Sequence, residues 1–376
     1  MTDHLKILSI VPYRVLPAEL GGEKGIALFN EYLGKKIDLI AVTTQNNDPQ
    51  YAKNYRVLNV LSNSRWRYAN FFLYFRFRKL IRQQHISHLI IEHPYYGWLA
   101  WLLRKTAPVT WVVHSHNIEY MRSRSIGRWW WKALKWYETW VYKKSDINFF
   151  ISEDDKTHAV NELGIDPKKS HAITYGIEQS NLPEDREEAR AWIQHKHAIP
   201  ADTSILLFNG ALYHHTNYDA LSLILEKINP VLMADEQFNY RIIVCGRGLP
   251  EQFNDLNAYA EKNIIYAGFV DDISIYFKAA DIFLNPILSG GGVKTKAIEA
   301  IGYNCTVISS ELGALGLLRE VCKHKLVVVP GNDPVTFAGE VIRHSALDEN
   351  TPPEFFGYYS WEGISDKVKT ILTQHA

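Results

Sequence analysis

Cysteine is scarce in this chain of 376 residues, which holds only Cys245, Cys305 and Cys322. Each lies in or beside an apolar run. Their spacing suits neither a disulfide framework nor a metal site, so three buried reduced thiols are expected. No apolar run approaches the roughly 20 residues that span a bilayer. Ile7–Val11 is too short for the core of a signal peptide and leads into Pro12 and Arg14. Net charge is also lacking, since 41 Lys and Arg balance 41 Asp and Glu. With 47% apolar and 22% charged residues, the composition is that of an ordinary globular protein and excludes disordered or collagen-like classes. At about 150 residues per domain the length fits more than one domain and fewer than three. A cytoplasmic protein of two domains is the expectation.

The zero balance conceals an asymmetry. Residues 1–180 carry 25 Lys and Arg against 16 Asp and Glu, and the remainder carries 16 against 25. Thirteen of the basic residues fall within Ser64–His85 and Tyr120–Lys144, together with six of the 11 tryptophans. Such a half can face nucleic acid, an anionic membrane or a phosphorylated substrate.

Short apolar runs of strand length alternate with segments of helical length. Strands are expected at 5–11, 37–43, 56–60, 88–91, 109–114, 146–151 and 171–174, with helices at 22–33, 66–84, 97–105, 128–143 and 153–163. After a polar stretch, Glu178–Arg190, the alternation restarts. The second set of strands is expected at 204–208, 240–245, 264–266, 282–285, 306–309 and 326–329. Helices fit 217–228, 250–260, 273–280, 294–303 and 334–345, with a last one at 361–373 after Pro352 and Pro353. Continuous apolar strands alternating with helices imply parallel sheets covered on both faces. The fold class is therefore α/β with two doubly wound, Rossmann-like domains. The expected bounds are 1–178, with 357–376 packing back on it, and 179–356.

Ligands of such sheets bind beyond the carboxyl ends of the strands, on loops that lead into helices. The most informative of these loops follows Asn285. There Gly290, Gly291 and Gly292 precede a helix expected to begin near Val293. Three glycines let backbone amides approach an anion, and a helix N-terminus adds unpaired N–H groups. Lys296 and Glu299, three apart, share a helix face. Lys294 would point about 200° away from Lys296 at 100° per residue, so one lysine is expected to face the ligand. A cation beside phosphate and a carboxylate one turn further suit a ribose diphosphate. A glycine turn with a solvated Lys–Glu pair would read the same way from composition alone.

The segment Ile264–Gly316 contains Gly268, Asp271-Asp272, Ala280-Asp281, Asn285-Pro286, the glycines, Lys296, Glu299-Ala300, Gly302, Thr306-Val307-Ile308 and Gly313. It resembles the donor-binding half of GT-B glycosyltransferases, closest to the retaining enzymes of family 4. Phe208-Asn209-Gly210 with Asn217, and Val244-Cys245-Gly246-Arg247-Gly248, extend the likeness backward. Gly21-Gly22, Val112–Glu119, Ser145-Asp146, Ser152-Glu153 and Tyr359-Ser360-Trp361 extend it over most of the chain.

The resemblance implies a GT-B fold with two domains facing across a cleft and a nucleotide-diphosphate sugar held by the second. Glu299 would bind the ribose, and Gly290–Gly292, Val293, Lys294, Lys296 and Arg247 would meet the diphosphate. Gly210, Asn217 and Gly246 would frame the donor, and the backbone at Phe269 and Val270 would face the base. His116 would reach the transferred sugar, making His116, Lys296 and Glu299 the catalytic set. Gly21, Gly22, His93, Asn117 and Glu119 would lie on the acceptor side. Three departures from the family pattern stand out. The frequent carboxylate eight residues before the ribose glutamate falls at Gly291. The usual Arg and Lys after the first strand of the second domain become Ala211 and roughly Thr216. The junction turn reads Tyr175-Gly176. No Asp-x-Asp pair occurs, so no metal and no cofactor beyond the co-substrate are expected. His93, His114, His214 and His215, taken alone, read as solvent-exposed loop histidines.

Residues 65–82, laid out as one helix, place Trp66, Ala69, Leu73, Tyr74, Phe77, Leu80 and Ile81 on an arc without charge. The opposite half mixes six cations with Tyr68, Phe71, Phe72 and Phe75. Residues 128–144 have a similar composition. An anionic membrane surface, contacted through Arg65–Arg82 and Arg128–Lys144, would accept such faces. So would burial under Arg and Lys stems. No nucleic-acid motif accompanies them. The membrane reading implies peripheral attachment at the inner face of the cytoplasmic membrane and a saccharide or lipid-linked acceptor in cell-surface polysaccharide synthesis. A nicotinamide dehydrogenase is unsupported, because Gly-x-Gly-x-x-Gly follows neither Val11 nor Cys245. A non-catalytic, hydrolytic or epimerising relative that binds nucleotide sugars remains the alternative.

Overall fold

The computed structural model describes residues 5–18, 21–290 and 292–375. The chain forms two compact units, one of Met1–Glu178 with Tyr359–Ala376 and the other of Gln179–Tyr358. In the first, seven parallel strands are ordered β3-β2-β1-β4-β5-β6-β7. They are β1 (Lys6–Ile10), β2 (Asp38–Thr44), β3 (Arg56–Leu61), β4 (His88–Glu92), β5 (Thr110–Ser115), β6 (Ile147–Phe150) and β7 (Ser170–Ala172). In the second, six parallel strands are ordered β10-β9-β8-β11-β12-β13. These are β8 (Ser204–Asn209), β9 (Tyr240–Cys245), β10 (Ile264–Gly268), β11 (Ile282–Asn285), β12 (Thr306–Ser310) and β13 (Leu326–Val329). The order reverses between β1 and β4 in one sheet and between β8 and β11 in the other. Such switch points open a crevice at the carboxyl ends of the strands.

The strands form because runs such as His-Leu-Ile-Ile-Glu in β4 are buried along their whole length. Alternate residues serve opposite faces. Leu8, Ile10, Leu89, Ile91, Trp111 and Val113 join one core cluster with Leu73, Phe77, Leu99, Leu103 and Val141 from the helices. The intervening residues Ser9, Glu92 and His114 turn to the other face, where Phe29 of the Gly21–Gly34 helix lies 4.4 Å from the His114 ring. The last helix, Trp361–Thr373, begins at a Ser360 cap and packs on the Gly21–Gly34 helix through an i, i+3, i+4 stripe of Trp361, Ile364, Val368 and Ile371. Lys36 ties the pair by bonding Glu362 at 2.8 Å and Asp366.

Several elements depart from the sequence expectation. Glu178–Arg190 is not wholly irregular, since a helix runs over Arg186–Lys196. It buries only Ala189 and Ile193, too sparse a stripe for periodicity to register. A short helix, Glu119–Ser125, is capped from a distance, its first amides donating to the Glu138 carboxylate at 2.9 and 3.0 Å. In place of the helix expected at 250–260, Glu251–Lys262 forms an irregular 3-10 segment kinked at Asn254, Asp255 and Leu256, all with positive φ. Pro353–Tyr359 is helical as well.

The helix expected over 66–84 breaks into a 3-10 turn, Arg65–Ala69, and a helix, Phe72–Gln84. The break shifts the phase. Leu73, Phe77 and Ile81 are buried as expected, but Trp66 is 81% exposed. Cys245, Cys305 and Cys322 are free and buried. Among the described residues no helix is long and apolar enough to cross a membrane.

Gly246, at the end of β9, has φ 147°, and a Cβ there would sit 1.9 Å from the Gly210 carbonyl oxygen. Gly246→Ala is expected to destabilise the protein by about 1–3 kcal/mol. Gly339→Ala, with nothing within 4 Å in the middle of the Pro334–Ser345 helix, is expected to be neutral or stabilising by up to ~1 kcal/mol. Chemical denaturation of the two variants checks the contrast, and equal effects would contradict the close approach.

Candidate functional site

In the second unit the strand ends at the switch point are laced together by their backbones. Gly210 N–H donates to the Cys245 carbonyl at 3.0 Å, Gly246 N–H to Gly268 at 2.7 Å, and Leu212 N–H to Arg247 at 2.9 Å. This brings the β8 and β9 turns so close that Gly246 has no room for a side chain. A Cβ on Gly210 would meet Asn217 at 2.8 Å and Lys296 Nζ at 3.0 Å. Beside them is a cavity of about 160 Å³ lined by Phe208, Asn209, Asn217, Phe283, Asn285, Ile287, Val293, Lys294, Thr295 and Lys296. Asn217 Nδ2 donates to the Ala211 carbonyl at 3.0 Å. Asn285 Nδ2 donates to Ser309 Oγ and to the Gly313 carbonyl, at 3.0 and 2.9 Å.

The helix after the glycines starts at Thr295, not near Val293. Lys294 therefore precedes it, the 200° separation does not apply, and both lysines line the cavity. Lys294 Nζ donates to the Gly290 and Gly292 carbonyls at 3.4 and 3.3 Å, closing the loop on itself. Both glycines have positive φ, 89° and 77°. Gly291 lies outside the described residues. Lys296 turns its ammonium inward to the Asn209 carbonyl at 3.0 Å. Burial pulls its pKa down to about 8, against the upward pull of Glu299 one turn along the same helix. Arg247 stacks its guanidinium over the Phe269 ring at 4.2 Å. Phe269 is 57% exposed, and neither it nor Arg247 and Val270 lines the cavity. A larger hollow, about 340 Å³, borders the Arg186–Lys196 helix, but Arg190 there is spent on Asp281 at 2.8 Å.

In the first unit, polar groups gather at the switch point of β1 and β4. Parallel register sets Glu92 beside His114 across β4 and β5. Glu92 Oε2 lies 2.7 Å from His116 Nε2 and 2.9 Å from His114 Nδ1, and Glu92 Oε1 accepts from Ser9 Oγ at 3.4 Å. Burial would raise the Glu92 carboxyl, but His114 and His116 hold it below the ordinary range. Both histidines are shifted down, chiefly by burial. His93 Nε2 meets Tyr13 OH at 2.8 Å, and its Nδ1 lies 3.2 Å from Glu119 Oε1. Burial raises Glu119 too, and His93 with Arg122 overcomes it to leave the carboxyl low.

His93 and His114 are buried, contrary to the loop reading, because parallel neighbours and Phe29 enclose them. His214 and His215 are exposed. Gly21 and Gly22 open the Gly21–Gly34 helix, and the Asn117 carbonyl accepts from Ser115 Oγ at 2.8 Å. The sequence offers Glu92 only as a weak candidate and His114 as a loop histidine, and it does not point to Tyr13, since a cross-strand register leaves no local signal. Glu92, His114 and His116 bring three ligand-type atoms within 4.8 Å of one another. The 2.7 Å contact in that set is a hydrogen bond between Glu92 and His116.

The family model for Glycosyltransferase Family 4 matches residues 21–181, and that for Glycosyl transferases group 1 matches residues 203–346. An uncharacterised 44.6 kDa protein in the cps region of Klebsiella pneumoniae is 28% identical over 146 residues, 37% of each chain. A D-inositol 3-phosphate glycosyltransferase of Streptomyces bingchenggensis is 26% identical over 210 residues, 52% of this chain and 44% of that protein. These matches thus span less than half of either curated relative. The crystal structure of HepE from Anabaena in complex with UDP superposes with a TM-score of 0.71 at 12% identity, covering 98% of this chain and 100% of that one. The chain is built from two glycosyltransferase domains with the GT-B fold, and it resembles family 4.

A lysine whose pKa drops from 10.5 to about 8 on folding penalises the folded state fully below pH 8, and the penalty fades as pH rises toward 10.5. Lys296→Met is therefore expected to raise the thermal midpoint at pH 7, with the gain over wild type shrinking between pH 8 and 10.5. Calorimetry across that range checks it, and a midpoint lowered at pH 7 would contradict the buried cation.

Proposed function

We propose that the protein is a retaining glycosyltransferase that moves a sugar from a nucleoside-diphosphate sugar to a saccharide or lipid-linked acceptor at an anionic membrane surface. The observation that carries the reading is the inward ammonium of Lys296. It sits at a switch-point cavity beside Val293, Lys294 and the start of a helix. A diphosphate brings to that ammonium counter-charge beyond that of Glu299, and as the leaving group it gains negative charge as the glycosidic bond breaks. Lys294, Val293 and the glycine amides supply further donors. Glu299, one turn on, is assigned the ribose hydroxyls. The exposed Phe269 ring under Arg247 is assigned the base, with Val270 beside it. The first unit is assigned the acceptor, with His116, His93, Asn117 and Glu119 at the ends of β4 and β5. The reading calls for no metal ion, since lysine and backbone amides meet the leaving charge.

The membrane part rests on surface chemistry. Trp66, Phe71, Phe72 and Phe75 are 53–81% exposed, and Trp129 and Trp136 are 90% and 73% exposed. They stand among Arg65, Arg76, Arg78, Arg128, Lys132 and Lys135. The Phe72–Gln84 and Trp131–Lys144 helices both pack against the Gly97–Thr106 helix, which puts the two basic aromatic faces in one layer. Rings at the headgroup boundary and cations on lipid phosphate suit that layer. Likeness to a protein of a cps region supports an acceptor in surface-glycan synthesis.

Calorimetric titration with UDP and GDP is expected to detect binding by wild type. Affinity should fall about ten-fold or more in Lys296→Met and decline as pH rises through 8, where the free lysine loses its proton. Transfer from the matching donor should disappear in Glu299→Ala. Unchanged affinity in Lys296→Met would remove the site. Donor breakdown that needs no acceptor would favour a hydrolytic or epimerising relative instead. In a separate test, the protein is expected to co-sediment with phosphatidylserine vesicles at low salt and to be released by high salt. Phe71/Phe72/Phe75→Ser should abolish the association, and its absence from wild type at low salt would exclude the membrane reading.

A further inference from the structure

We propose that Glu92 is a positioning residue that holds His116 in a single tautomer, with Nε2 protonated and Nδ1 offered as a lone pair to a sugar hydroxyl. The role given to Nδ1 rests on the transferase reading, whereas the tautomer itself does not.

The argument starts from what a buried carboxylate can do. Glu92 is 0% exposed and ionised, so it accepts hydrogen bonds and donates none. His116 Nε2 lies 2.7 Å from Glu92 Oε2, so the proton on that nitrogen is dictated by its partner. Burial, outweighing the upward pull of Glu92, lowers the pKa of the ring and so favours its neutral form, in which Nδ1 is an acceptor.

The neighbouring imidazoles cannot serve the same purpose. His93 Nε2 is taken by Tyr13 OH, and its Nδ1, 3.2 Å from Glu119 Oε1, is buried away from solvent. Both ring nitrogens of His114 are shut away from solvent, under the rings of Phe29 and Phe149. His116 is 12% exposed in its side chain, and no hydrogen bond among the described residues reaches its Nδ1. Of the three rings, it alone keeps a nitrogen available to a ligand. Glu92 itself is locked by its place at the end of β4, opposite His114 in register, with its second oxygen taken by Ser9. The carboxylate therefore has no freedom to follow a rotating ring, and the ring has one orientation in which Nε2–H is satisfied.

Histidine-selective ¹⁵N labelling of the full chain, with long-range ¹H–¹⁵N correlation and His116→Gln to assign the signal, reads the tautomer directly. Wild type at neutral pH is expected to show His116 protonated at Nε2 alone. Glu92→Gln keeps an acceptor oxygen and should preserve that signal, whereas Glu92→Met removes it and should give a mixture. Steady-state kinetics should rank turnover wild type, then Glu92→Gln, then Glu92→Met. The last should fall about ten-fold or more in kcat, with donor KM within about two-fold.

If Glu92→Met does not fold, the wild-type spectrum decides alone, and a His116 protonated at Nδ1 or at both nitrogens overturns the proposal. A stoichiometric divalent ion in the purified protein, lost in Glu92→Gln, would make the trio a metal site and overturn it too. The expected tautomer change without any transferase activity would leave the positioning intact and remove the reading of the donor site.

Discussion

A lysine ammonium turned into a protein and bonded to a backbone carbonyl costs free energy in the absence of a ligand. Lys296 is in that position at the mouth of the second sheet. The surrounding architecture keeps it there. Gly210 and Gly246 have no side chains, so the β8 and β9 turns close together. Asn285 pins the loop after β12, and Lys294 folds the glycine turn back on itself. A cation so confined gains most from a partner bearing several negative oxygens, and a diphosphate is the simplest such partner. The buried ammonium carries a stability penalty that an anion bound there would relieve, a common relation between stability and function.

Much of the fold was legible because strand burial is written in consecutive residues. All thirteen strands fall where short apolar runs predicted them. The last helix runs over Trp361–Thr373 because Ser360 supplies a cap and the apolar stripe has helical spacing. The misses share a physical cause. Glu119–Ser125 is capped by a carboxylate 19 residues away in sequence. Arg186–Lys196 buries too few side chains to imprint a period. The segment Arg65–Gln84 reads as one helix by spacing, yet Asn70 and Phe71 interrupt it and Trp66 turns outward.

The candidate site divides along the same line. The glycine loop, Lys296 and Glu299 are contiguous, so a motif carries them. The helix starts two residues later than the expected Val293, so Lys294 stands before it and both lysines, not one, line the cavity. In the first unit the register of β4 and β5 creates the Glu92–His114–His116 cluster. No local pattern announces a contact made across 22 or 24 positions of sequence. His93 and His114, read singly, are surface histidines, and only the sheet shows them to be interior. The two switch points thus hold opposite chemistries, lysine and backbone amides in one unit and histidines with carboxylates in the other. On the proposed reading, one unit grips an anionic leaving group and the other handles hydroxyl groups.

A crystal structure with a bound nucleoside diphosphate tests the central claim most directly. The account predicts diphosphate oxygens within hydrogen-bond distance of Lys296 Nζ and of the amides at Gly290–Gly292, with the ribose hydroxyls on Glu299. A nucleotide bound elsewhere, with Lys296 still on the Asn209 carbonyl and the cavity beside it empty, would contradict it.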